Sequence, residues 1–289
     1  VKILVTGSHG QLGSELKLLS ALYKTFDFTF IDVEDVDLTK AEAIRNYFSD
    51  KNFEFLIHCA AYTAVDKAEE ESQLAFAINA DAVKTLAEIC AEKKIRMIYI
   101  STDYVFDGEA NQPLAETAQP NPVSVYGKSK LAGENHVLSI LSNAFIIRTA
   151  WVYSAFGKNF VKSIRHLASQ RESLGVVCDQ IGTPTYAYDL ASAVLQIVDA
   201  LAQGSPAEPG IYHYSNEGVT SWYDFAYFLV GESKLNCKVQ PISTAQYKTA
   251  AARPKFSLLD KSKIKATFAL QIPHWSESLK ICIEKLSVG

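Results

Sequence analysis

The stretch Thr6-Gly7-Ser8-His9-Gly10-Gln11-Leu12-Gly13 narrows the folds open to this chain more than any other feature. It follows an apolar run, Val1-Lys2-Ile3-Leu4-Val5, and leads into a segment of helical spacing, so a G-x-x-G-x-x-G pattern occupies a strand-to-helix turn. There Gly7 permits the tight turn, Gly10 lets a pyrophosphate approach the backbone, and Gly13 lets helix and sheet pack closely. The helix start adds free N–H groups and a partial positive charge for the phosphates. The turn therefore predicts a dinucleotide site at the head of a βαβ unit. Asp32, 19 positions after Gly13 and at the close of the next β-rich run, is placed to accept hydrogen bonds from the adenosine ribose. Its carboxylate would repel a 2′-phosphate, which leans toward NADH. Capping of the next segment by Asp32 or Asp37 is the structural alternative.

The first half continues the alternation that parallel βαβ units produce. Strands are expected at Ile3 to Thr6, Phe28 to Asp32, Phe55 to Cys59, Met97 to Ser101 and Phe145 to Arg148. Helices are expected at Gln11 to Leu22, Lys40 to Ser49, Ser72 to Lys93 and from near Val125. Beyond Trp151 the alternation weakens, and turns such as Gly182-Thr183-Pro184 separate shorter elements. The fold class expected is α/β, a doubly wound parallel (Rossmann) sheet with a smaller C-terminal substrate-binding lobe. Residues 1–151 and about 177–213 would form the dinucleotide domain, and about 152–176 with 214–289 the lobe. Ligands of open α/β sheets bind outside the carboxyl ends of the strands, where such a lobe would close a cleft.

A net charge of -4 lacks the basic footprint of a nucleic-acid partner. No apolar run reaches the roughly 18 residues that span a bilayer, and the first residues enter the glycine turn directly instead of forming a secretion signal. The cytoplasm is the expected compartment. Cys59, Cys90, Cys178, Cys237 and Cys282 form no CxxC pair, and His9, His58, His136, His166, His213 and His274 show no paired spacing for a catalytic zinc. The run Glu69-Glu70-Glu71 reads as a solvated helix start, where carboxylates complement the macrodipole.

Chemistry enters with Tyr126-Gly127-Lys128-Ser129-Lys130. On a helix, residues four apart share a face, so the ammonium of Lys130 is expected to pull the phenol of Tyr126 down toward the working pH. A phenol so placed can give a proton to a ketone oxygen as hydride reaches the carbon. Ser101-Thr102-Asp103, at the end of an expected core strand, puts Thr102 where it could bond the same oxygen. Each motif has a plain structural reading, a surface Tyr–Lys pair or an ordinary turn.

Taken together, the glycine turn, Ser101-Thr102-Asp103, and Tyr126 with Lys130 resemble the extended short-chain dehydrogenase/reductase superfamily. Further segments sharpen the resemblance: Ala60 to Glu69, Ser101 to Gly108, Tyr126 to Glu134, Arg148 to Tyr153, Asp179 to Thr185 and Arg253-Pro254 are similar to the dTDP-4-dehydrorhamnose reductase family. The resemblance runs over nearly the whole chain. It implies reduction of the C4 ketone of dTDP-4-dehydro-β-L-rhamnose by NADPH or NADH, giving dTDP-L-rhamnose for polysaccharide synthesis. It makes Tyr126 the proton donor, Lys130 its partner and holder of the nicotinamide ribose, and Thr102 the support of the reacting oxygen. Gly10, Gln11 and Leu12 would hold the pyrophosphate, Asp32, Asp37 and Leu38 would surround the adenosine, and Ala61, Tyr62 and Thr63 would line the cofactor. Thr102, Asp103 and Trp151 match the family's substrate contacts.

Arg253 is a candidate cation for the substrate diphosphate, because a guanidinium pairs bidentately with phosphate oxygens. Asn159 and Gln180 are candidates for sugar hydroxyls. Some family members dimerise around Mg²⁺ held by an acid in the first helix and an acidic pair late in the chain. Glu15 fits the first position, but the pair stands here as Tyr188-Asp189, which removes one oxygen ligand and leaves a monomer or a differently built homodimer open. Two other functions share the fold: a silent cofactor-binding regulatory subunit, against which the full set of Thr102, Tyr126 and Lys130 argues, and another nucleotide-sugar reductase, epimerase or dehydratase. A dehydratase commonly carries a carboxylate pair beside the threonine, where this chain has Asp103 and then Tyr104.

Overall fold

The structure, a computed structural model, describes residues 1–288. The first half builds β1 (Lys2–Thr6), α1 (Gln11–Ser20), β2 (Asp27–Ile31), α2 (Ala41–Phe48), β3 (Phe55–His58), α3 (Val65–Ala68), α4 (Ser72–Phe76), α5 (Ala82–Lys93), β4 (Arg96–Thr102), α6 (Val125–Ile140) and β5 (Phe145–Thr149). Then follow β6 (Val152–Tyr153), α7 (Phe160–Ala168), β7 (Ser173–Val177), β8 (Ile181–Gly182), β9 (Thr185–Tyr186), α8 (Ala187–Ala202) and β10 (Gly210–His213). The chain closes with β11 (Thr220–Ser221), α9 (Trp222–Glu232), β12 (Lys238–Ile242), α10 (Ser262–Phe268) and α11 (Trp275–Val288).

Six of these strands form one parallel sheet in the order β10-β5-β4-β3-β1-β2. Strands covered on both faces need apolar side chains at every position, which is why their sequences read as unbroken hydrophobic runs. Ile3, Val5, Ile57, Ile98 and Ile147 meet α1 and α8 on one face. Leu4, Leu56, Met97, Tyr99 and Ile146 meet α2 and α5 on the other. Because β2 lies to one side of β1 and β3 to the other, the order reverses there and opens a crevice at the carboxyl ends. A separate core, with Tyr153, Ile164, Leu174, Phe225 and Leu279, packs α7, α9 and α11 around the parallel pair β7–β12. Among the described residues no helix is long and apolar enough to cross a membrane.

Four expectations are corrected. The helix expected from Ser72 to Lys93 is broken by a π turn at Ala77–Asp81, where the buried Asn79 turns inward. Helix α1 stops at Ser20, and Asp32 falls just past β2 instead of closing it. Glu69-Glu70-Glu71 is not simply a solvated helix start: Glu69 follows α3, its Oε1 accepts the N–H of Val125 at 2.9 Å, and Glu71 accepts the hydroxyl of Tyr62.

Candidate active site

A cavity of about 690 Å³ runs along the carboxyl ends of the sheet, from the glycine turn past Thr102 and Tyr126 to Trp151 and Asn159. Gly7, Gly10, Gln11, Leu12, Gly13, Asp32, Asp37, Leu38, Ala61, Thr63, Thr102, Asp103, Tyr126, Lys130 and Trp151 all line it. Tyr62 and Arg253 are not in its wall.

The glycine turn is as tight as its sequence demands. Gly7 has φ +70°, and a Cβ there would sit 2.7 Å from the backbone of Ala60; a Cβ on Gly13 would sit 2.2 Å from the carbonyl oxygen of Gly7. Helix α1 starts at Gly10 without a side-chain cap, and the buried Oε1 of Gln11 has no partner. Uncapped N–H groups facing a cavity suit a pyrophosphate. Asp32 also braces this turn: its Oδ2 accepts the N–H of His9 at 2.7 Å and its Oδ1 that of Val33 at 2.9 Å. A carboxylate has about four lone-pair sites, so ribose hydroxyls can share it. Asp37 caps its own segment through Thr39 and Lys40, bonds that hold its carboxyl down at about 2.

Helix α6 is fixed at its start and along its length. At its start Ser124 Oγ accepts the N–H of Gly127 at 3.1 Å, satisfying one of the donors a helix leaves free. Farther along, the fully buried Glu134 forms a bidentate pair with Arg148 of β5, at 2.9 and 2.6 Å. Gly127 lies against the 3-10 turn Asp103–Val105 so closely that a Cβ would be 2.1 Å from the carbonyl oxygen of Tyr104. Tyr126 and Lys130 thereby face the end of β4, Lys130 Nζ donating to the carbonyl of Ile100 at 2.8 Å and lying 4.1 Å above the ring of Tyr99.

The protonation expected of this pair is reversed. Burial pushes Tyr126 up to about 12, and burial brings Lys130 down to about 7. Both groups are dry, so the ammonium is itself disfavoured and lends the phenol little support. Tyr126 thus keeps its proton at neutral pH, which is the form that reduction requires. Beside it Thr102 Oγ1 donates to Asp103 Oδ1 at 3.1 Å and accepts the N–H of Tyr104 at 3.2 Å. Asp103 is raised to about 6 by burial, with the Ser257 hydroxyl and the Thr102 bond opposing, and its buried Oδ2 has no partner. Across the cavity Trp151 has φ +50° and stacks on Trp222, ring centroids 3.7 Å apart.

Comparison with known proteins decides the family. A family model described as the RmlD substrate binding domain matches residues 1–288. The dTDP-4-dehydrorhamnose reductase of Aggregatibacter actinomycetemcomitans is 38% identical over 285 residues, covering 96% of this chain and 97% of that protein. The chain belongs to the dTDP-4-dehydrorhamnose reductase family. The crystal structure of a dTDP-4-dehydrorhamnose reductase from Clostridium acetobutylicum superposes with a TM-score of 0.94 at 41% identity, covering 99% of this chain and 100% of the other. That of the Bacillus anthracis enzyme in complex with NADP gives 0.91 at 36%, covering 98% and 99%.

Within the family frame, several expected contacts find other partners. Arg253 pairs with Asp66 of α3, its NH2 2.6 Å from Oδ2 and its NH1 3.1 Å from Oδ1. Gln180 donates to Thr244 at 3.1 Å and is absent from the cavity wall, whereas Asn159 lines the cavity but caps α7 through the N–H of Lys162. Sequence reasoning missed Asn79, whose amide clamps the backbone N–H and C=O of Tyr62 and donates to Ser129. It also missed the Glu69 bond to Val125, Ser257 and the packing role of Gly127; of these only the glycine beside Tyr126 carried a signal.

The residues around Glu15 do not fit a hard divalent ion. Glu15 is fully buried, one oxygen accepts the Ser154 hydroxyl at 2.7 Å, and burial raises its pKa. Asp189 accepts from Asn216 and Ser278. The cation acting on both carboxyls is Lys285, whose Nζ lies 4.1 Å above the ring of Tyr188. Among the described residues, the group of three potential ligands is His9, Asp32 and Glu34, largely exposed and with Asp32 already bonded to backbone.

Proposed function

We infer that this chain reduces the C4 ketone of dTDP-4-dehydro-β-L-rhamnose to dTDP-L-rhamnose, with NADPH or NADH as the reductant. The observation that carries the reading is a buried, protonated Tyr126 beside Thr102 in the wall of a cavity that begins at a dinucleotide turn. When bound, the reduced nicotinamide supplies the hydride to the ketone carbon. Tyr126 gives its proton to the oxygen, and Thr102 orients that oxygen by a hydrogen bond. Lys130, anchored on Ile100, holds the nicotinamide ribose beside Tyr126. Gly10, Gln11 and Leu12 take the pyrophosphate on the start of α1, and Asp32 takes the adenosine ribose, which favours NADH without barring NADPH.

The sugar lies between Asp103 and Trp151, under the lobe formed by residues from about 152–176 and 214–288. Arg253 spends three N–H bonds on Asp66 and the carbonyl of Ala251, and a guanidinium has five, so two remain for the diphosphate. The enzyme is assigned to the cytoplasm, as a monomer or a homodimer not bridged by metal. The test is the rate of NADPH or NADH oxidation with dTDP-4-dehydro-β-L-rhamnose. Turnover by the wild type that falls by roughly 100-fold or more in Tyr126→Phe, in the range of general acid catalysis, supports the reading. No turnover with either cofactor, despite cofactor binding, refutes it.

A further inference from the structure

Thr102 has one hydrogen, and in this structure Asp103 holds it. A hydroxyl whose hydrogen is committed to a carboxylate can only accept from its other neighbours. Thr102 cannot then donate to a ketone oxygen, which would be left with Tyr126 alone. We propose that Asp103 is a positioning residue that acts in its protonated form: as an acid it donates to Thr102 Oγ1, turning the Thr102 hydroxyl outward as a second donor to the ketone oxygen. The buried hydroxyl of Ser257, brought in from the C-terminal segment, acts on this carboxyl. The inference rests on the reductase reading above.

The geometry supports it in three ways. Asp103 is 2% exposed, so water does not compete for the Thr102 hydrogen. Its Oδ2 is buried without a partner, an arrangement costly for a charged carboxylate and much less so for a neutral acid. Ser257, also 2% exposed, comes from the segment that follows Arg253, and its hydroxyl acts on the carboxyl in favour of the charged form. The groups facing Asp103 are Tyr104 of its own turn and Tyr126 of α6, with Lys130 one turn on and the Arg253–Asp66 pair acting on Tyr104. Both tyrosines are held above neutrality by burial, so neither titrates between pH 5 and 8; Lys130, brought down to about 7, does, so the Asp103 limb is the one whose midpoint follows the Asp103 carboxyl and which Asp103→Asn removes while the Lys130 limb persists. Burial places Asp103 itself at about 6.

Atoms balance without Asp103 losing a proton to product: the carbon gains hydride from the nicotinamide, and the oxygen gains the proton of Tyr126. Asp103 only sets which way Thr102 points. The active form being the acid, kcat falls as pH rises through the Asp103 midpoint, toward a plateau on the order of 100 to 1000 times lower, the scale of losing one oxyanion donor. Ser257→Ala removes a hydroxyl that favours the carboxylate, so the falling limb moves to higher pH. Asp103→Asn presents an amide N–H to Thr102 at every pH, so the limb disappears.

The experiment is kcat from pH 5 to 8 for wild type, Ser257→Ala and Asp103→Asn, each checked for cofactor binding as evidence of folding. The Asp103 titration is read independently from its carboxyl ¹³C shift in the NADP⁺-loaded protein. A limb whose midpoint matches that titration, moves up in Ser257→Ala and vanishes in Asp103→Asn supports the proposal. A flat wild-type profile, or a limb unchanged in either variant, overturns it while leaving the reductase reading intact. Absence of turnover at every pH instead refutes the reductase reading and removes the proposal with it.

Discussion

Gly127→Ala tests how finely α6 places the proton donor. The added Cβ would lie 2.1 Å from the Tyr104 carbonyl oxygen and 3.0 Å from the Pro122 Cβ. Side chains do not approach backbone closer than about 3.0 Å, so helix or turn must retreat by about 0.9 Å. The helix cannot tilt freely, because Glu134 ties it to Arg148 and Glu69 holds its first N–H. The retreat therefore falls on Tyr126 and on the turn that carries Asp103. A misplacement of about 1 Å at reacting groups costs on the order of 100-fold in rate. Overpacking costs about 1–3 kcal/mol of stability, reduced by the roughly 1 kcal/mol that alanine gains over glycine within a helix. Single-turnover kinetics and thermal melts are the assays. The expected result is kcat down roughly 100-fold with a modestly lower Tm and near-normal cofactor affinity, and a kcat within about threefold of wild type would refute the packing argument.

Other perturbations separate the remaining parts. Gly13→Ala drives a Cβ to 2.2 Å from Gly7 oxygen and should weaken NADPH binding by at least about 10-fold; unchanged affinity in a fluorescence titration would contradict the cradle. Glu134→Gln leaves Arg148 charged and buried without its counter-ion, an expected loss of about 3–5 kcal/mol in urea unfolding. His58 and His213 are held down at about 3 by burial, below their ordinary 6.5. The unfolded chain binds those protons first, so stability is intact above pH 6.5. It declines as pH falls toward 3, by up to about 1.4 kcal/mol per pH unit for each histidine; a Tm that stays level from pH 6.5 to 4.5 would oppose this. Arg253→Gln should raise the KM for the dTDP-sugar by roughly 10-fold with kcat changed less, as loss of a charged phosphate contact does. An unchanged KM would restrict Arg253 to its bond with Asp66.

Much of the architecture was legible because strands buried on both faces leave little freedom: Ile3 to Thr6 and Phe145 to Arg148 can read only as core strands, and the glycine turn fixes where the first helix begins. The wall of the cavity was legible for the same reason, since topology dictates that residues just past β1, β3 and β4 face it. Local spacing could not show what depends on burial. Lys130 stands four residues from Tyr126, yet its influence on the phenol is set by how dry both groups are. Nor could spacing show partners brought from afar, such as Asp66 for Arg253, Ser257 for Asp103, or Asn79 for Tyr62. The π turn that aims Asn79 inward has no periodic signature of its own.

The most direct test of the account is to turn over dTDP-4-dehydro-β-L-rhamnose with NADPH deuterated at the transferring position and to locate the label by NMR. A single deuterium on C4 of dTDP-L-rhamnose, with labelled product formed roughly 100-fold or more slowly by Tyr126→Phe, is the predicted result. A product without deuterium at C4, or one formed equally well without the phenol, would contradict it.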